Sequence, residues 1–164
     1  LIITNNDDQW KKYFSFAQFL IIKQKGTTNI KYIQDSNLIV GKQQNNENVN
    51  LNENDSDGNV LFYISKWMYK VVVPSFIKVI SSYCFANCEN LKIIEFESNS
   101  NLIVIEDSVF ENSTIEELSI PSKVCLLKPN CFKGTSKLVR IKVIPCKEQN
   151  IIYYNDSILI GKSN

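Results

Sequence analysis

A chain of 164 residues is of ordinary single-domain length, and its 44% hydrophobic content is enough to bury a sizeable core. Its 18 basic and 17 acidic residues leave a net charge of +1, which argues against a nucleic-acid binder or a protein held on an anionic membrane. The complete lack of histidine removes the commonest general base, the usual catalytic triads and every His-containing zinc site.

The first predicted element is a helix over residues 7–24. Trp10, Tyr13, Phe14, Ala17, Leu20 and Ile21 fall on one apolar stripe, with Asn6, Asp7 and Asp8 at the start and Lys23, Lys25 and Gly26 at the end. Its polar face is not strongly basic, so it is expected to pack on the end of the domain or to replace part of a repeat, and not to lie on a membrane. The apolar run 14–22 is too short to span a bilayer, and Ser15 and Gln18 break it. Short strands are predicted at 30–33 and 38–40. Residues 43–59 are Asn-rich and read as a mobile loop. Glu53-Asn-Asp55-Ser-Asp57-Gly58 is a poor calcium loop, because Glu replaces the first Asp and Ile64 stands where a bidentate Glu is needed.

From Val60 the apolar density returns, and one phrase occurs three times. Its anchors are Ile77, Ile80, Phe85, Leu91, Ile94 and Phe96 in the first copy. Leu102, Ile105, Phe110, Ile115, Leu118 and Ile120 follow, then Val124, Leu127, Phe132, Leu138, Ile141 and Val143. From Phe85 to Phe110 is 25 residues, and from Phe110 to Phe132 is 22. A unit of this size cannot bury its apolar side alone, so the copies must stack as coils of a solenoid. Val71-Val-Val73-Pro74 matches Leu118-Ser-Ile120-Pro121, which starts the array one strand earlier. Segments 91–96, 115–120 and 138–143 are predicted to be adjacent parallel strands, with the three Phe rings in a buried column.

With Ile94 and Phe96 inward, alternation turns Ile93 and Glu95 outward. Stacking then builds two exposed ladders, Lys70, Ile93, Glu117, Arg140 and Val72, Glu95, Ser119, Lys142. A protein partner is expected on Ile93, Glu95, Glu117, Ser119, Arg140 and Lys142, since the sheet surface is where repeat proteins bind.

The tail Tyr153-Tyr-Asn-Asp156-Ser157-Ile-Leu-Ile-Gly161-Lys162 echoes Tyr32-Ile-Gln-Asp35-Ser36-Asn-Leu-Ile-Val-Gly41-Lys42. This is a second, longer repeat: a strand pair, an Asn-rich loop, then the array. The expected organisation is a helix and strand pair over 1–42 as a degenerate repeat or cap, a loop over 43–59, the repeats over 60–146, and a strand pair over 147–164 that opens the next cassette. The chain is accordingly expected to be a piece of a longer protein.

Val73-Pro74-Ser75, Ile77, Ile80, Phe85, Cys88, Leu91, Ile94 and Phe96 fit a pattern that Ile120-Pro121-Ser122, Val124, Leu127, Phe132, Leu138 and Ile141 repeat. This pattern resembles the BspA-like leucine-rich repeats, clearly over residues 70–143. Three features depart from it. Val109 and Ser113 replace a small residue or Cys around Phe110, the middle copy is one residue shorter between Phe110 and Ile115, and Ser81, Glu106 and Lys128 stand at a frequent glycine position. The resemblance implies a leucine-rich-repeat solenoid of stacked parallel strands with short helical or irregular segments. It also implies a surface-exposed or secreted recognition protein, linked to adhesion and to extracellular-matrix or host proteins. It brings no catalytic residue, cofactor or metal. The alternatives are an intracellular interaction scaffold, or a repeat domain appended to an enzyme.

The remaining chemistry reads as structural. Glu106, Asp107, Glu116 and Glu117 share no fixed face and are expected to be solvated charges. Of the five cysteines, Cys84 and Cys131 are equivalent two coils apart, about 10 Å at the usual strand spacing and beyond disulfide reach. Cys88 occupies a small-residue slot shared with Ser113 and Thr135, while Cys125 and Cys146 have no predictable partner. All are expected to be buried free thiols, with no C-x-x-C pair to suggest zinc. Sequons at Asn54, Asn112 and Asn155 matter only in a secretory lumen.

Overall fold

A computed structural model describes residues 27–33, 38–43, 59–144, 151–154 and 158–161. The predicted 7–24 helix, the calcium-like stretch, Cys146 and the sequons at Asn54 and Asn155 lie outside the described residues. Twelve strands follow in chain order among them: β1 (Thr27–Ile33), β2 (Leu38–Gln43), β3 (Val60–Ile64), β4 (Lys70–Val73), β5 (Val79–Ile80), β6 (Ile93–Phe96), β7 (Val104–Ile105), β8 (Glu117–Pro121), β9 (Leu126–Leu127), β10 (Arg140–Ile144), β11 (Ile151–Tyr154) and β12 (Ile158–Gly161). No helix occurs among the described residues, and the stretches that carry Phe85, Phe110 and Phe132 are successive turns.

The chain winds as a β-solenoid. Each coil contributes one longer strand (β4, β6, β8, β10) and one strand of two residues (β5, β7, β9). The two-residue strands join β1, β2 and β3 in one continuous sheet in the order β1-β2-β3-β5-β7-β9, parallel from β3 onward. β2 enters this sheet antiparallel to β3, with Leu38 opposite Ile64 and Val40 opposite Leu61, and both Leu38 and Val40 join the main core.

The repeated spacing builds that core. Phe85 and Phe110 are fully buried, and successive ring centroids are 5.3 Å apart from Phe85 to Phe110 and 5.4 Å from Phe110 to Phe132. The rings lie nearly parallel and offer one continuous apolar column. Two left-handed residues bracket each Phe: Tyr83 and Asn87, Ser108 and Asn112, Asn130 and Gly134. They reverse the chain tightly enough for turn amides to bond the next coil, as in Phe85 N–H to Val109 O and Phe110 N–H to Cys131 O, both 2.9 Å. Asparagine is frequent at these positions because its short polar side chain lowers the cost of positive φ.

One expectation needs correction. β4 pairs in parallel with β6, and β8 with β10, but β6 and β8 form no shared ladder. They lie side by side with Cα atoms within 8 Å. The cause is the missing residue between Phe110 and Ile115, which brings the chain into β8 early. One backbone bond, Thr114 N–H to Cys88 O at 3.4 Å, and several side chains span the gap: Thr114 Oγ1 donates to Glu89 O at 2.6 Å, and Lys92 Nζ reaches Thr114 O at 3.4 Å and Glu116 Oε1 at 2.7 Å.

Candidate protein-binding surface

The face of β4, β6, β8 and β10 alternates as expected from the spacing. Val71, Val73, Ile94, Leu118 and Ile120 are buried, while Lys70, Val72, Ile93, Glu95, Glu117, Arg140 and Lys142 are exposed and Ser119 is half-buried. Strand register places Lys70 beside Ile93, Val72 beside Glu95, Glu117 beside Arg140, and Ser119 beside Lys142. All six candidate residues therefore share one surface, divided at the β6–β8 split into an Ile93 and Glu95 half and a Glu117, Ser119, Arg140 and Lys142 half.

Cross-coil ion pairs knit this surface. Lys70 Nζ lies 2.7 Å from Glu95, Lys142 Nζ lies 3.3 Å from Glu117, and Arg140 also pairs with Glu117. Partial desolvation pushes the Glu117 carboxyl up, but hydrogen bonds and charge from Lys142 and Arg140 prevail and hold it below the usual carboxylate range. Glu116 is also held low, chiefly by its hydrogen bond from Lys92. Exposed pairs of this kind add little stability, so their effect is to fix the pattern of charge.

The split opens a cleft of about 370 Å³ in the face, lined by Tyr69, Lys92, Ile93, Glu95, Glu116 and Glu117 among others. Trp67 stands 84% exposed in the turn before β4, and Tyr69, which lines the cleft, is 62% exposed. Sequence reasoning missed both, because an aromatic residue reads first as core. The available signal was positional: Tyr69, Lys92, Glu116 and Val139 each stand one residue before a strand rung, a third outward row beside the two predicted.

The other chemistry-bearing groups lie away from this face. Glu106, expected to be solvated, is 3% exposed. It follows the second buried apolar residue of its coil, so its carboxylate turns between coils and accepts from Ser82 N–H at 3.0 Å and Ser82 Oγ at 3.1 Å, with Lys128 Nζ at 3.7 Å. Those contacts are structural. Cys84, Cys88 and Cys131 are buried as free thiols, whereas Cys125, expected inside, is exposed beside β9. Burial raises the Cys84 and Cys88 thiols despite Lys66, whose Nζ lies 3.6 Å from Cys88 Sγ; burial also pushes Cys131 up to about 11. Among the described residues no group of three His, Cys, Asp or Glu converges on a metal-sized site, and no helix is long and apolar enough to cross a membrane.

The sequence matches the family described as BspA type leucine rich repeat region over residues 55–159, with 6 copies. The chain belongs to this family. Its BspA-type coils share their fold with the pneumococcal vaccine antigen PcpA, at 26% identity and a TM-score of 0.53 over 58% of this chain and 23% of that one. A leucine rich cell surface protein from Faecalibacterium prausnitzii is similar over 58% of this chain and 24% of its own, at 20% identity and a TM-score of 0.50. The chain thus spans about a quarter of the length of either protein. Among curated proteins no sequence match was found. The family is a repeat scaffold of the protein-binding kind, and the two solved structures that share its fold are described as a vaccine antigen and a leucine rich cell surface protein.

Proposed function

We propose that this chain is a non-enzymatic, protein-binding segment of a cell-surface or secreted BspA-type repeat protein that recognises a host or extracellular-matrix protein. The observation that carries the reading is the face on which Ile93 and Glu95, in register on one strand pair, and Glu117, Ser119, Arg140 and Lys142, in register on the next, all stand outward, with Tyr69 and the cleft where the two halves meet. Stacked parallel strands hold these side chains with little freedom left to lose on binding. Tyr, Trp and Arg are the residue types that dominate binding energy at protein interfaces, and Tyr69, Trp67 and Arg140 supply one of each. The likeness to a vaccine antigen and to a leucine rich cell surface protein supports the location.

The test is a double replacement, Ile93→Asp with Arg140→Glu, assayed for capture on immobilised extracellular-matrix proteins and on cells. Thermal unfolding is expected to stay nearly unchanged, because both side chains are exposed, while capture weakens. Unchanged capture, combined with its loss on replacing residues of the Phe-bearing turns, would overturn the face. A second reading rests on the four free thiols among the described residues, which suit a reducing compartment and an intracellular scaffold. Locating the full-length protein by surface biotinylation of intact cells separates the two.

A further inference from the structure

The two ends of the solenoid are closed differently. At the first end β2 lies antiparallel to β3 and buries Leu38 and Val40 in the core. At the other end β9 is the last strand of the continuous sheet, and the third coil is only partly covered. Leu127, Phe132, Leu138, Ile141 and Val143 are half-buried, whereas their counterparts Ile105, Phe110, Ile115, Leu118 and Ile120 are fully buried. Among the described residues no strand pairs with the far edge of β9. Leu126 N–H and Lys128 N–H both donate toward β7, at 3.3 Å to Ile103 O and 2.9 Å to Ile105 O. Alternation along the strand then turns the Leu127 N–H and C=O away from β7, toward the open side. A strand edge that no described strand pairs with, beside half-exposed apolar side chains, is a template for another strand.

The chain order supplies that strand. Residues 74–78 lead from β4 to β5, 97–103 from β6 to β7, and 122–125 from β8 to β9. Residues 145–150 lead from β10 to β11 over a comparable stretch, so β11 occupies the place of the next short strand in the winding cycle. β11 is held by β12 in an antiparallel hairpin, as β1 is held by β2, and Ile158-Leu-Ile-Gly161-Lys162 repeats Leu38-Ile-Val-Gly41-Lys42. In the structure this hairpin lies near β10 and forms a sheet of its own.

We propose that the open edge of β9 is the docking site of β11, which adds in parallel and brings the β11–β12 hairpin over the third coil. The hairpin then has the same place in the long repeat at both ends. One of its strands closes the coil before it, and the other offers the antiparallel edge that β2 offers to β3. The inference does not rest on the binding face and stands or falls apart from it.

Backbone-assigned NMR of isotopically labelled 164-residue chain tests it. The Leu127 amide is expected to exchange slowly and to show cross-strand contacts to residues of 151–154. In Tyr153→Pro, which breaks the hairpin at its Leu159 pairing, Leu127 exchange is expected to accelerate about tenfold or more while the buried rungs of β6 and β8 keep their protection. Leu127 exchanging as fast in the parent chain as in the variant would overturn the proposal. So would contacts from Leu127 to β12 alone. Protection that grows with protein concentration would assign the edge to a second copy, and this too would overturn it.

Discussion

Gly134 is tightly constrained by its neighbours. It sits at φ +70°, and a Cβ there would lie 2.1 Å from Asn112 Oδ1. Asn112 in turn donates from Nδ2 to Asn87 Oδ1 at 3.3 Å, so the Asn87–Asn112 ladder runs into the glycine and needs its bare backbone. Gly134→Ala is expected to cost about 1–3 kcal/mol, read from the urea midpoint. In an Asn112→Gly background the contact part disappears and the backbone part remains, so the cost should fall without vanishing. Equal costs in the two backgrounds would show that the close approach is unimportant. The thiols make a second prediction at this scale. A short iodoacetamide pulse on the native chain should label Cys125 and leave Cys84, Cys88 and Cys131 untouched until denaturant is added, because three are buried and one is exposed. Burial favours the neutral thiol of Cys131, so the unfolded chain loses that proton first. The resulting stability is intact below about pH 9 and is lost as pH rises toward about 11. Cys131→Ala should lessen that alkaline decline without abolishing it, because the buried Cys84 and Cys88 thiols are raised too; an identical decline in the variant would show that Cys131 does not contribute.

The strands show how far spacing alone reaches. Leu91-x-x-Ile94-x-Phe96 and its copies were enough to place β6, β8 and β10, their inward residues, and the side-by-side positions of Glu117 and Arg140. The spacing could not reveal that β6 and β8 part, although the one-residue deletion after Phe110 was visible, because deletion tells where a path changes and not which backbone bonds are lost. Nor could it show Glu106 buried, since a carboxylate at a coil junction is satisfied by Ser82 and Lys128, residues of the two neighbouring coils. The exposure of Trp67 was hidden for the converse reason: its turn lies ahead of the first full copy, where no repeat position assigns it a side. At this scale Thr114 is the test residue, since its hydroxyl bonds Glu89 O at 2.6 Å across the split. Thr114→Ala should cost about 1 kcal/mol and quicken amide exchange in β6 and β8. Exchange unaltered in both strands would mean that the side-chain bridges do not hold the split together.

Over the whole molecule stability is summed along one axis, each coil supported by its neighbours. Phe110 has a ring on both sides and Phe132 on one. Phe110→Ala should therefore cost about 3–5 kcal/mol, and Phe132→Ala distinctly less, by urea denaturation. Equal losses would indicate that Phe132 is as enclosed as Phe110. The coarse architecture was legible in the sequence because it is periodic, and periodicity averages over local exceptions. The candidate face was legible only as a surface, because repeat positions dictate where side chains point and not what they meet.

The split between β6 and β8 changes how the array would carry load. On one side β5, β7 and β9 are joined rung by rung, and the Phe-bearing turns are bonded coil to coil, so that side behaves as a stiff spine. On the other side the coils meet at β6 and β8 through side chains and one backbone bond, which yield more easily than a backbone ladder. A force that bends the solenoid away from this face would widen the cleft while the spine stayed intact. The outward surface can then change curvature at one defined crease, with Ile93 and Glu95 on one plate and Glu117 and Arg140 on the other. A protein under traction could thus flex against a curved partner without unfolding a coil.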